Sequence, residues 1–296
     1  MKYSYYPGCT AETTSVEFGL STKAVCQALD VELEELEDWS CCGASSAHSL
    51  NHELSLELPA RNVAKAQETG LDLLTPCPAC YQNSLSADNA LREDEEWRAK
   101  MENLLDFQYE GTGRPRHILD VLSHDMDAET IKRHVVKPLA GLKVACYYGC
   151  VLVRPPEKTG WDDPEHPVTM DQVLEAVGAE PVDWSYKVDC CGASMTLTIS
   201  DVVTNLSSKI VAGAIEAGAD CIASACGICQ INLDTRQAPL PSPPRLPGGE
   251  KGGKLPIFYF TELMALAFGL PGVGKWLGKH TVDPRPLLRE RGLLGR

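Results

Sequence analysis

Apolar residues fall along this chain in two alternating kinds of run. Short apolar stretches, such as LKVACYY at 142–148 and CIASA at 221–225, read as strands. Longer stretches with apolar positions three and four apart read as helices: SVEFGLSTKAVCQALD at 15–30, TMDQVLEAVGA at 169–179 and SSKIVAGAIEAGAD at 207–220. The order repeats in both halves as strand, helix, a second strand ending near Trp39 or Trp184, a turn, a helix and a third strand. Alternation of this kind predicts an α/β fold of two pseudo-symmetric, Rossmann-like units, each a small parallel sheet flanked by helices. The expected division is a first unit at 1–88, a helical linker at 89–140, a second unit at 141–234, and a Pro/Gly loop with a C-terminal helical segment at 235–296. The linker opens on a charged helix and closes on an amphipathic one. The apolar stretch LPIFYFTELMALAFGL at 255–270 is too short to span a bilayer and reads as core or as a docking surface for another subunit.

The turns carry the chemistry. Cys9 ends YYPGC, Cys41 and Cys42 open CCGAS, and Cys77 and Cys80 form CPAC; Cys150 ends YYGC, Cys190 and Cys191 open a second CCGAS, and Cys226 and Cys229 form CGIC. From the paired cysteines to the CxxC there are 34 intervening residues in both copies, 43–76 and 192–225. The first gap is 31 residues in one copy and 39 in the other, which places an insertion in the loop VRPPEKTGWDDPEHP. In parallel α/β sheets ligands collect at the carboxyl ends of strands, where all three clusters of each copy fall. A glycine after each cysteine pair permits positive φ and a close approach of backbone N–H groups to sulfur.

Composition narrows the chemistry. Forty-one acidic and 27 basic residues leave a net charge of −14, which argues against nucleic acid or an anionic membrane surface as a partner. No signal-peptide-like or membrane-spanning run is present in the sequence, so a cytoplasmic location is expected, and there 13 cysteines point to metal or redox chemistry before disulfides. Zinc takes four ligands and each copy offers five, so an iron–sulfur cluster is favoured over zinc, and duplication argues against a thioredoxin-like dithiol. Cys26, Cys146 and Cys221 lie in apolar elements and are expected as buried small hydrophobes. GGEKGGKL at 248–255 nearly spells a phosphate loop, but Leu255 replaces the Ser or Thr that would meet magnesium. The glycines of GLPGVGKWLG lack the strand that a nucleotide-binding turn requires.

This duplicated pattern resembles the B subunit of heterodisulfide reductase, over nearly the whole chain. The resemblance implies two CCG domains, each holding a noncubane [4Fe-4S] cluster: one on Cys9, Cys41, Cys42, Cys77 and Cys80, the other on Cys150, Cys190, Cys191, Cys226 and Cys229. It further implies a disulfide substrate lying between the clusters, worked on in one-electron steps. The implied partners are a protein like the C subunit of that enzyme, with cubane [4Fe-4S] clusters, and a flavoprotein like its A subunit. The departures from the family pattern are YYGC, which lacks the proline of YYPGC, and the longer first gap of the second copy. Protonation of released thiols needs an acid, for which His48, with His52 nearby, is the candidate; Lys187 and Arg154 are candidates for holding an anionic substrate. The competing function is a CCG-type electron-transfer subunit of a succinate, lactate or glycolate oxidoreductase, without disulfide chemistry.

Overall fold

The structure, a computed structural model, describes residues 1–237 and 254–295. The Pro/Gly-rich stretch at 238–253, with most of the phosphate-loop-like segment, lies outside the described residues. Among the described residues eight strands form two sheets: β1 (Lys2–Tyr5), β2 (Glu32–Glu35), β3 (Leu73–Thr75) and β4 (Pro115–His117) in the order β2-β1-β3-β4, then β5 (Lys143–Tyr147), β6 (Glu180–Pro181), β7 (Cys221–Ser224) and β8 (Ile257–Tyr259) in the order β6-β5-β7-β8. Every pairing is parallel. Helices cover the faces, as parallel sheets require.

The expected second strands stop short of the tryptophans. β2 is the edge of its sheet and the chain turns away at Asp38, with φ of 50°. β6 is likewise an edge strand and ends at Pro181.

Each sheet also gains a fourth strand that periodicity did not reveal. β4 comes from the stretch expected as a helical linker, and its sequence Pro-Arg-His carries no apolar alternation. β8 comes from the apolar C-terminal stretch, which is core: Leu255 and all residues from Ile257 to Phe260 are buried.

The helices after these fourth strands cross to the opposite half. Ile118–His124, after β4, packs on Thr169–Ala176 of the second half, and Phe260–Ala267, after β8, packs on Val16–Ala28 of the first. At the second crossing Phe18 stacks on Tyr259 with ring centres 4.6 Å apart, and the buried Ser21 and Thr261 hydroxyls are 2.6 Å apart. Such a ring pair contributes about 0.5–1.5 kcal/mol beyond its area. One continuous apolar core therefore includes residues of both halves, among them Phe18, Leu122, Val144, Leu174 and Leu263. The two cysteine-bearing ends are held in a fixed mutual orientation by this exchange.

Candidate functional site

In the first half β1 runs into Gly8 with φ of 70°, and Cys9 follows in the short helix Gly8–Glu12. In the second, β5 runs into Gly149 with φ of 76°, and Cys150 follows. Glycine is favoured at both positions by crowding as well as by the left-handed turn: a Cβ on Gly8 would lie 2.9 Å from Cys80 Sγ, and one on Gly149 would lie 3.3 Å from Cys229 Sγ. Sheet register pairs Ser4 with Leu73 and Ala145 with Ile222, so Tyr6 matches Tyr147 and Pro7 matches Tyr148. The missing proline is thus a substitution by Tyr148, with no residue deleted.

Tyr6 and Tyr147 share one task. Each is fully buried and donates its hydroxyl to the carbonyl just before the cysteine pair, Tyr6 to Ser40 at 2.8 Å and Tyr147 to Asp189 at 2.7 Å. After each pair the glycine turns left-handed, Gly43 at φ of 79° and Gly192 at 83°. The CxxC turns are matched in the same way. Thr75 and Ser224 hydroxyls accept the N–H of Cys77 and Cys226 at 3.3 and 3.2 Å, and these cysteines cap the helices Pro78–Glu93 and Gly227–Thr235. Helix N-termini favour thiolate over thiol.

The sulfurs of each half are neighbours. Cys191 and Cys229 Sγ are 3.3 Å apart. Hydrogen bonding runs from Cys41 to Cys42 and on through Cys80 to Cys77, and Cys9 is close enough to act on Cys41. In the second half it links Cys150 with Cys190, and Cys229 with both Cys191 and Cys226, and Cys191 and Cys226 are close enough to act on Cys150. Within these networks Cys42 is drawn down to about 3 by the Cys41 hydrogen bond and then that of Cys80, and Cys190 to about 6 by the Cys150 bond. Cys77 and Cys191 fall too, chiefly through bonds from Cys80 and Cys229. Cys41, Cys80, Cys150 and Cys229 rise as the donors. Backbone N–H groups of Gly43, Ala44, Gly192 and Ala193 add to the pull on the sulfurs beside them.

Two asparagines complete the sets, one in each half, a turn beyond the CxxC. Asn83 donates to the Cys42 carbonyl at 3.2 Å, and the buried Asn232 donates to the Cys191 carbonyl at 3.5 Å and its Sγ at 3.6 Å. The sequence signal for these residues was present but is short: a Thr or Ser two positions before the CxxC and an Asn three positions after it, TPCPACYQN and SACGICQIN.

All 13 cysteines are free thiols, and Cys26, Cys146 and Cys221 are buried away from both quintets. Burial raises Cys26 to about 12 and lifts Cys146 and Cys221 well above the ordinary thiol value. Five soft donors with depressed thiolates, helix N-termini and converging backbone N–H groups fit a polynuclear iron–sulfur core better than a tetrahedral ion. Among the described residues no group of three or more His, Cys, Asp or Glu side chains is disposed around one mononuclear metal position.

Between the halves lies a cavity of about 570 Å³, which Cys77 lines from one side and Cys150, Cys190, Cys226 and Cys229 from the other. His48 and His52 also line it, with rings 6.3 Å apart, and so does Lys158; among the described residues no Asp or Glu does, in a chain of net charge −14. The insertion of the second copy contributes Lys158 to the lining. It is latched to the first half by Gln82, which donates to the Arg154 carbonyl at 2.9 Å, and by Lys158, whose Nζ lies 3.2 Å from Ser86 Oγ. Arg154 and Lys187 do not line the cavity. Arg154 is engaged by Glu165 at 2.6 Å and by the Pro164 carbonyl, and the buried Lys187 by Asp171 at 2.8 Å and the Pro167 carbonyl. The Lys187 carbonyl receives the N–H of Tyr148 and Gly149, so this residue braces the turn into Cys150. A smaller cavity, about 290 Å³, lies by Glu17, Gln230 and His280 away from the cysteines.

His117, at the end of β4, is another residue the sequence did not single out. It is fully buried, its Nε2 lies 2.9 Å from the Pro76 carbonyl, and its Nδ1 accepts the Leu119 N–H. The Ala225 carbonyl also bears on it, so one ring touches the residues that immediately precede both CxxC motifs.

Comparison with known proteins agrees with the duplication. The cysteine-rich CCG domain model matches residues 3–83 and again 144–234. The chain is 32% identical to the B subunit of the Methanosarcina acetivorans ferredoxin/F(420)H(2)-dependent CoB-CoM heterodisulfide reductase, over 90% of this chain and 89% of that one. It is 29% identical to the Wolinella succinogenes 8-methylmenaquinol:fumarate reductase membrane anchor subunit, over 97% and 99% of the two chains. It is 23% identical to a Macrococcus caseolyticus lactate utilization protein A, over 80% and 89%. Among solved structures, a hypothetical protein from Helicobacter pylori superposes with a TM-score of 0.68 at 10% identity; 95% of this chain spans 52% of that one, and the likeness is one of fold. Among the described residues no helix is long and apolar enough to cross a membrane.

Proposed function

This chain belongs to the duplicated cysteine-rich CCG domain family that includes the B subunit of heterodisulfide reductase, and we propose that it is the iron–sulfur subunit of a multisubunit oxidoreductase that reduces or forms a disulfide. In this reading Cys9, Cys41, Cys42, Cys77 and Cys80 hold one noncubane [4Fe-4S] cluster, and Cys150, Cys190, Cys191, Cys226 and Cys229 hold the other. When bound, the clusters supply one-electron transfer, which suits a reaction that needs two electrons delivered singly. The balance is RSSR′ + 2 e⁻ + 2 H⁺ → RSH + R′SH: the S–S bond breaks, both sulfurs are reduced, and each takes one proton. Electrons come from a cubane iron–sulfur protein like the C subunit of that enzyme, itself supplied by a flavoprotein like its A subunit, in a reducing, cytoplasmic compartment.

The observation that carries this reading is the cavity. A relay subunit has no use for a 570 Å³ space between its halves, lined by cysteines of both. The protein's own groups divide the work there. His48 and His52 line the space, and in this reading they hand protons to the released thiolates. Lys158 and the N-termini of Pro78–Glu93 and Gly227–Thr235 make the lining cationic, which favours a substrate with acidic ends. Ile228, Leu56 and Val151 give it an apolar wall for an aliphatic stem.

The electron-transfer alternative draws support from the fumarate reductase relative, whose match runs almost end to end in both chains. Anaerobic preparation tests the shared part: about eight irons and eight acid-labile sulfides per chain are expected for two four-iron clusters, and neither being present overturns both readings. Turnover then separates them. With a reduced viologen dye as donor, consumption of small disulfides is expected, and an iron-loaded protein that reduces no disulfide overturns the enzyme reading.

A further inference from the structure

The CxxC helices carry an asparagine at matched positions in the two halves, and in both halves it is directed at the cysteine pair. Asn83 follows Cys80 by three residues and Asn232 follows Cys229 by three, so each lies on the face of its helix that the second CxxC sulfur occupies. Each reaches the second, buried cysteine of its own pair. Asn83 Nδ2 donates to the Cys42 carbonyl at 3.2 Å and the Ala44 carbonyl at 3.5 Å, which turns its carboxamide toward the inner cysteine of the pair. Asn232 Nδ2 donates to the Cys191 carbonyl at 3.5 Å and the Cys191 Sγ at 3.6 Å. Asn232 is further fixed by Thr196, whose Oγ1 accepts from Nδ2 at 3.0 Å and donates to Oδ1 at 3.2 Å. The contact thus recurs at two independent places in the molecule, on Cys42 and Cys191, which are 2% and 0% exposed.

We propose that Asn83 and Asn232 are paired positioning residues: each turns a carboxamide N–H toward the inner cysteine of its pair and thereby raises the reduction potential of the cluster in its own half. This rests on the iron–sulfur reading above. An N–H dipole with its positive end toward sulfur stabilises the charge that accumulates on reduction, so its loss makes reduction harder. In a site of low dielectric that preference is felt strongly. The two halves differ in how firmly the donor is held. Asn232 is buried and clamped by Thr196, whereas Asn83 is partly exposed and lines the cavity. The Asn83 contact is therefore the one that a bound substrate can disturb.

The test uses the full chain with its iron–sulfur content, reduced stepwise in an electrochemical cell and followed by electron paramagnetic resonance. Asn83→Leu and Asn232→Leu keep nearly the same shape and remove the donor; Asn83→Asp and Asn232→Asp replace it with a negative charge. Each Leu variant is expected to lower the midpoint potential of one signal about tenfold in the oxidised-to-reduced ratio, or about 59 mV for one electron. Each Asp variant is expected to lower it more, and the signal belonging to the other half is expected to stay in place. Iron and sulfide content measured on the same samples separates the possible failures. Wild-type protein without iron overturns the iron–sulfur reading itself. Variants that hold full iron with unmoved potentials overturn the assignment of the asparagines, as do Leu and Asp variants that lose iron alike, since that outcome marks a purely structural contact.

Discussion

Replacing Gly8 with alanine is the sharpest test of how closely the strand end is fitted to sulfur. Three glycines with similar backbone form a graded set: Gly8, Gly149 and Gly70 have φ of 70°, 76° and 66°. The conformational penalty for alanine in the left-handed region, roughly 1–2 kcal/mol, is common to all three. The space is not. A Cβ at Gly70 meets nothing within 4 Å, one at Gly149 lies 3.3 Å from Cys229 Sγ, and one at Gly8 lies 2.9 Å from Cys80 Sγ. Ordinary contact is about 3.5–4.0 Å, so the Cys80 sulfur must retreat by roughly 0.6–1 Å. Cys80 is 3% exposed and already touches Cys42 and Cys77, so it has little room to do so. Metal sites tolerate about 0.2 Å in ligand distance. Gly70→Ala is therefore expected to lower the melting temperature by a few degrees with iron content intact, and Gly8→Ala to lose about half of the iron and sulfide. Gly149→Ala falls between. The assay is iron and sulfide per chain after anaerobic preparation, with thermal unfolding followed by circular dichroism. Should Gly8→Ala retain all its iron and unfold alongside Gly70→Ala, the crowding argument and the ligand role of Cys80 are both refuted.

Three further outcomes follow from the site. Burial holds His117 down to about 3, against the pull of the Pro76 and Ala225 carbonyls, so below the ordinary value near 6.5 the unfolded chain takes up the proton first. Stability is then lost as pH falls from about 6.5 toward 3, by about 2 kcal/mol at pH 5; denaturant unfolding of His117→Gln at pH 7 and 5 should show a shallower pH dependence, and an unchanged slope would assign the acid sensitivity elsewhere. Tyr147→Phe leaves the Asp189 carbonyl without its buried donor and should cost about 1–3 kcal/mol in denaturant unfolding; no loss would mean that this bond does not hold the cysteine turn. Lys158→Glu should reduce kcat/KM for the dianionic 3,3′-dithiodipropionate about tenfold or more while sparing neutral bis(2-hydroxyethyl) disulfide, and equal effects on the two would count against a cationic cavity.

Much of this protein could be read without coordinates. The duplication, the cysteine quintets, the glycines that permit each turn and the alternation of strand and helix are local features, set by residue type and spacing within one copy, and they survive in any arrangement of the halves. The shared cavity belongs to another class. Whether Cys77 faces Cys150 depends on Ile118–His124 and Phe260–Ala267 crossing to opposite halves, and that in turn on which apolar face meets which. β4 is invisible to periodicity because Pro115–His117 earns its place by completing a sheet edge, with His117 buried between two loops 149 residues apart at Pro76 and Ala225. Lys187 shows the same limit. A lysine beside a cysteine pair reads as a candidate for substrate, yet Asp171 comes from the helix Thr169–Ala176, 16 residues earlier, and its carboxylate turns the ammonium inward. Spacing along the chain says which donors exist. Only long-range packing, where burial and pairing compete for each side chain, says which of them meet.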